Sequence, residues 1–88
     1  GDNSACKDVS SKVCGKAFSC PGGSSTDFKK SGGILHYPNV NECYSTLLAK
    51  CDGLGAGFNS TQCIADADQS TCEQHTLVLV TSCQALIN

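Results

Sequence analysis

The chain has 88 residues, eight of them cysteine, with six lysines, no arginine, tryptophan or methionine, and a formal charge of −2. That length allows one domain with one modest core. No apolar run approaches a membrane span, and a chain without arginine or a basic cluster is not built to hold nucleic acid. All six lysines lie at or before Lys50, whereas residues 51–88 carry Asp52, Asp66, Asp68 and Glu73 with no base.

Residues 4–18 predict the first helix: Cys6, Val9, Val13 and Ala17 recur at helical spacing, Asp8 and Lys12 stand four residues apart, and Ser4 is a fitting N-cap. From Pro21 to Gly33 the chain reads PGGSSTDFKKSGG. Its glycines, serines and lysines offer little to bury, so a long surface loop is expected, the most mobile part of the chain, with Phe28, Lys29 and Lys30 as its contact residues. Ile34 to Tyr37 is either a short strand or an extended lead into the next element.

Asn39 and Glu42 form an N-x-x-E capping box, Cys43, Leu47 and Cys51 follow at four-residue steps, and Gly53 supplies a stop. A helix over 39–52 is therefore predicted, its two cysteines too far apart to bond to each other and each expected to tie it to a different part of the chain. Leu54 to Phe58 is a turn. Thr61 to Asp68 fits a short helical turn or a strand. Ser70 and Glu73 make a second capping box ahead of Cys72, Leu79, Cys83 and Leu86, which predicts a last helix to about residue 86. The β-branched segment HTLVLVTSC (75–83) supports a buried strand instead, but the helical stripe is preferred. Leu77 and Val78 lie off that stripe, and with Ile87 they are offered as apolar contacts if the last helix packs on one face only, the alternative being that they are core; Leu77 and Val78 are the sites to test. As a whole the chain is expected to be a small disulfide-rich, mainly α-helical domain of three main helices, with a small α/β sandwich as the alternative.

Cysteines 6, 14, 20, 43, 51, 63, 72 and 83 are expected to form four disulfides, because zinc sites draw on close pairs and the nearest neighbours here are Cys14 and Cys20. Eight cysteines allow 105 pairings, so connectivity stays open. Four bridges in so short a chain place it outside the reducing cytosol. Without a charged and apolar leader at its start, the sequence is expected to be a mature secreted form. Asn59-Ser60-Thr61 is an N-glycosylation sequon on the same route.

No catalytic, cofactor or metal residue is assigned. His36 and His75 are the only histidines, and His75 reads as a boundary residue of the last helix. No G-x-S-x-G elbow is present, and Asp66 and Asp68 lack the glycine and closing glutamate of a calcium loop. Those two acids suit the positive end of the last helix. A rigid crosslinked scaffold without an active-site pattern points to binding.

Two resemblances follow from the cysteine-bearing segments. SACKDVSSKVCGKAFSC (4–20) resembles the opening of ciliate mating pheromones, which implies a small extracellular helical bundle acting on a cell-surface receptor. The succession of a cysteine-bearing helix (42–52), Cys63 in an extended piece, the acidic turn at Asp66 and Asp68 and a helix reaching Cys83 is similar to fungal killer-toxin subunits and apoplastic effectors. That likeness implies their small α/β sandwich and a target on another cell. The expectation is a secreted, non-enzymatic effector or toxin-like protein acting on a cell-surface protein or membrane. The alternatives are a diffusible pheromone-type signal and a protease inhibitor presenting Lys29 or Lys30.

Overall fold

The computed structural model describes residues 3–21 and 26–88. Along the chain it contains α1 (Asn3–Phe18), β1 (Thr26–Lys30), β2 (Gly33–Tyr37), α2 (Val40–Leu54), α3 (Ser60–Asp66), β3 (Thr71–Glu73) and β4 (Thr76–Val78). Short 3-10 turns cover Gly55–Gly57 and Ala67–Gln69, and a longer 3-10 helix, Thr81–Leu86, ends the order. The protein is mainly helical with three helices, as expected: α1 and α2 stand where the sequence predicts them, while the third is α3, one of the two forms open for Thr61 to Asp68, and the four-stranded sheet is additional. Among the described residues no helix is long and apolar enough to cross a membrane.

Helix α1 is the central pillar. Cys6, Val9, Val13 and Ala17 bury completely or nearly so, and Ser10 and Cys14 widen the stripe, so the helix meets α2, α3 and the sheet at once. A stripe this wide suits a helix with neighbours on several sides. Helix α2 starts as its capping box requires, with Asn39 Oδ1 accepting the Glu42 N–H at 2.9 Å, and buries Cys43, Leu47 and Cys51. Gly55, at φ +63, ends it in a conformation that glycine adopts without cost.

All eight cysteines are paired: Cys6–Cys51, Cys14–Cys43, Cys20–Cys72 and Cys63–Cys83. The first two are successive rungs between α1 and α2, at Cα separations of 5.6 and 5.9 Å, and their order makes the helices antiparallel. Both cysteines of α2 therefore bind the same helix and not two separate segments, because the spacing from Cys6 to Cys14 equals that from Cys43 to Cys51. Cys20–Cys72 fixes the end of α1 to β3, and Cys63–Cys83 fixes α3 to the final 3-10 helix. Each bridge, taken singly, restricts the unfolded chain by about 3–4 kcal/mol on loop-closure grounds.

The strand order is β2-β1-β4-β3, with β1 and β4 parallel and the outer pairs antiparallel hairpins. Two corrections to the sequence reading lie here. The segment expected to be a surface loop over 21–33 contains β1: Thr26 and Phe28 alternate inward, and Phe28 is completely buried against Tyr37, with ring centroids 5.5 Å apart. Phe28 is thus a core residue and not a contact. Of the segment expected to be most mobile, residues 22–25 lie outside the described residues. The rest closes in a tight hairpin whose Gly32 takes φ +86.

The second correction concerns the helix expected over 70–86, which is the β3–β4 hairpin followed by a 3-10 helix. Ser70 does not cap a helix. Its hydroxyl accepts the Val80 N–H at 3.1 Å, while Glu73 pairs with Thr76 across the hairpin. Leu77 and Leu79 point inward and Val78 and Val80 lie half-buried, the period-two alternation of a strand, which a wholly apolar LVLV run conceals. Leu77, beside Phe28 in the parallel register, is core, and Ile87 is buried as well. Replacing Leu77 with Ser, or Phe28 with Ala, is expected to lower stability by about 2–5 kcal/mol in non-reducing urea unfolding. Val78→Ser should cost clearly less, and equal costs at 77 and 78 would contradict this register.

Candidate functional site

Strand alternation sorts the sheet into two faces. Thr26, Phe28, Leu35, Tyr37 and Leu77 turn toward the helices, while Asp27, Lys29, Ile34, His36, Val78 and Glu73 turn outward. No helix among the described residues covers the outer face. Ile34 is 63% exposed there, opposite Lys29 across the β1–β2 pair, and is one of two large hydrophobic residues exposed among the described ones.

At one end of this face Asp27 joins both histidines of the chain. His36 Nδ1 lies 2.6 Å from Asp27 Oδ1, and His75 Nε2 lies 2.9 Å from Asp27 Oδ2. His36 is Asp27's direct partner on β2, whereas His75 arrives through the two-residue turn between β3 and β4. That turn is fixed from below: the His75 carbonyl accepts the Asp27 N–H at 3.2 Å and the Thr26 hydroxyl at 2.7 Å. Thr26 Oγ1 also lies 3.2 Å from the Ala17 carbonyl of α1, so this buried side chain seats the cluster on the pillar helix. Gln74 carries the turn at φ +59, a region that favours glycine, and such strain persists only where the surroundings enforce it.

The two imidazoles differ in exposure from their carboxylate. Their side chains are 58% and 48% exposed, against 16% for Asp27. The hydrogen bond from His36 holds the Asp27 carboxyl below its ordinary value of 3.8, opposed by partial burial and assisted by the bond from His75. Both carboxylate oxygens are thereby engaged, and the described residues bring no group of three or more His, Cys, Asp or Glu together in a metal-holding arrangement.

The residues offered by the sequence scatter. Lys29 stands on the outer face, Lys30 pairs with Gly33 beside the hairpin turn, Val78 is half-buried on the outer face, and Phe28 and Leu77 are core. Asn59 is exposed and caps α3, its Oδ1 accepting the Gln62 N–H at 3.0 Å, and α3 packs on α1 and the final 3-10 helix, away from the sheet. Asp66 accepts from Gln62 and Ser82, and Asp68 pairs with Lys12 at 3.0 Å, so both acids serve the frame and not the end of a last helix. That pair also replaces the Asp8–Lys12 pair expected within α1. Asp27, Ile34 and the pairing of the two histidines were not among the residues assigned from sequence. Asp27 and His36 lie symmetrically about Ser31-Gly32, so the KSGG turn signal would have paired them; nothing local points to His75.

Comparison with family models, with curated proteins and with solved structures finds no match. Two outcomes follow from the cluster's geometry. A carboxyl held low contributes stability that is complete above its unfolded value and is lost as pH falls through its folded one. Urea unfolding followed from pH 5 to pH 2 should therefore show a steeper decline for the native sequence than for Asp27→Asn, and parallel curves would contradict the clamp. Gln74→Gly should raise stability by about 0.5–1 kcal/mol by removing the backbone strain, and a loss would contradict that conformation.

Proposed function

We propose that the chain is a secreted, non-enzymatic effector or toxin-like ligand that binds a protein on the surface of a target cell through the outer face of its sheet. The observation that carries this reading is the outer face itself: a sheet crosslinked to its helices, open on one side, with Ile34 63% exposed beside Lys29 and flanked by the Asp27–His36–His75 cluster. On binding surfaces an apolar centre is surrounded by polar and charged groups, and Ile34 beside Lys29 and the Asp27 cluster offers both. A crosslinked sheet loses little conformational entropy when it binds, because its strands are already fixed. The four disulfides support a secretory route. Within the same reading Asn59 is the glycan acceptor: the linkage uses Nδ2, so Oδ1 keeps its capping bond.

A pheromone-type signal would use the same face and differ in the identity of the responding cell. The inhibitor reading has less support, because Lys29 and Lys30 are paired with Ile34 and Gly33 in a tight hairpin and no protruding loop presents them. Binding of labelled protein to intact plant, fungal and ciliate cells tests the proposal. Ile34→Asp should reduce binding to the responsive cell type at least about tenfold, the scale of a lost central contact, with unchanged thermal unfolding. Lys7→Glu on α1 should leave binding as it was. Undiminished binding by Ile34→Asp would remove the sheet face from consideration.

A further inference from the structure

We infer that Asp27, His36 and His75 form a proton-operated switch in the hydrogen-bonding character of the outer face, one that suits it to an acidic partner in mildly acidic surroundings. The inference rests on the reading of that face as the binding surface. An ionised carboxylate only accepts hydrogen bonds, so each neutral imidazole must donate to Asp27. His36 therefore carries its proton on Nδ1 and His75 on Nε2. The remaining nitrogens, His36 Nε2 and His75 Nδ1, are then lone-pair acceptors on rings that are 58% and 48% exposed. One more proton on each ring turns both acceptors into donors while leaving the bonds to Asp27 in place.

The charge of the face reverses with them. Among the described residues its other charged groups are Lys29 of β1 and Glu73 of β3; β2 and β4 add none on this side, and Lys30 stands at the hairpin end. With neutral rings, Lys29 against Asp27 and Glu73 leaves a formal −1, and two added protons make it +1. Histidine is the side chain whose ordinary protonation falls between neutral and mildly acidic pH. With both rings neutral the face repels an acidic surface and offers it acceptors; with both protonated it attracts that surface and offers donors. The locked His75 carbonyl and the strained Gln74 turn keep the second ring on Asp27 against the cost of the backbone conformation.

Imidazole 15N NMR at pH 7.5 tests the clamp without a partner. His36 should show the Nδ1–H tautomer and His75 the Nε2–H tautomer, and Asp27→Ala, which leaves no acceptor, should return His36 to the Nε2–H form that free histidine prefers. Finding His36 as Nε2–H in the native sequence would overturn the inference. Retention on immobilised heparin, whose sulfates do not titrate, reads the surface: the protein should elute at higher salt at pH 5.5 than at pH 7.5. His36→Gln and His75→Gln should each remove part of that shift and together abolish it. No shift, or a shift that survives in the double variant, would also overturn the inference. Neither readout depends on the cell-binding result for Ile34→Asp, so failure of the receptor reading and failure of the switch are told apart.

Discussion

The two disulfide rungs between α1 and α2 are the constraint on which the rest of this structure depends. Cys6–Cys51 and Cys14–Cys43 hold two amphipathic helices antiparallel over an eight-residue spacing in each, and between them lie the buried side chains that neither helix could hide alone. A chain this short has little apolar area to spare, so the order of the unfolded chain matters as much as the contacts of the folded one. With α1 fixed, Cys20–Cys72 and the Thr26 bonds to Ala17 and His75 bring the edge of the sheet and the inner strand to the same helix.

Those attachments also account for the asymmetry of the molecule. Every crosslink reaches helix α1 or the elements packed with it, and Phe28, Leu77 and Leu47 fill the space between sheet and helices. The opposite side of the sheet receives no such layer among the described residues. It keeps a mixture of charged and apolar groups, with Lys29, Glu73 and the Asp27 cluster beside the exposed Ile34. The same separation puts Asn59 on the helical side, so a glycan there would leave the outer face clear.

The helical half of the fold was legible because its signals are local. Asn39 and Glu42 state the start of α2 within four residues, and Val9, Val13 and Ala17 state the buried side of α1. The sheet was not, because each strand is carried by one inward residue or concealed by its neighbours. In TDFKK only Phe28 marks the inner face, and in TLVLV the outward valines are as apolar as the inward leucines. Cys72, Leu79, Cys83 and Leu86 fall at helical intervals although a hairpin and a bend separate them, so a true spacing led to a wrong element. The rungs themselves were readable in retrospect: equal eight-residue spacings in two predicted helices fit an antiparallel ladder. Of the candidate site, Lys29 is named from the sequence and stands on the outer face, Phe28 and Leu77, offered as contacts, are core, and the Asp27 cluster depends on a contact 48 residues apart.

Disulfide mapping decides whether this frame is the right one. The protein, cleaved under acidic non-reducing conditions that prevent thiol exchange, should yield by mass spectrometry the linked fragments Cys6–Cys51, Cys14–Cys43, Cys20–Cys72 and Cys63–Cys83 and no free thiol. Any fragment linking Cys6 or Cys14 to a residue outside α2 would break the antiparallel rungs, and with them the placement of the sheet and its open face.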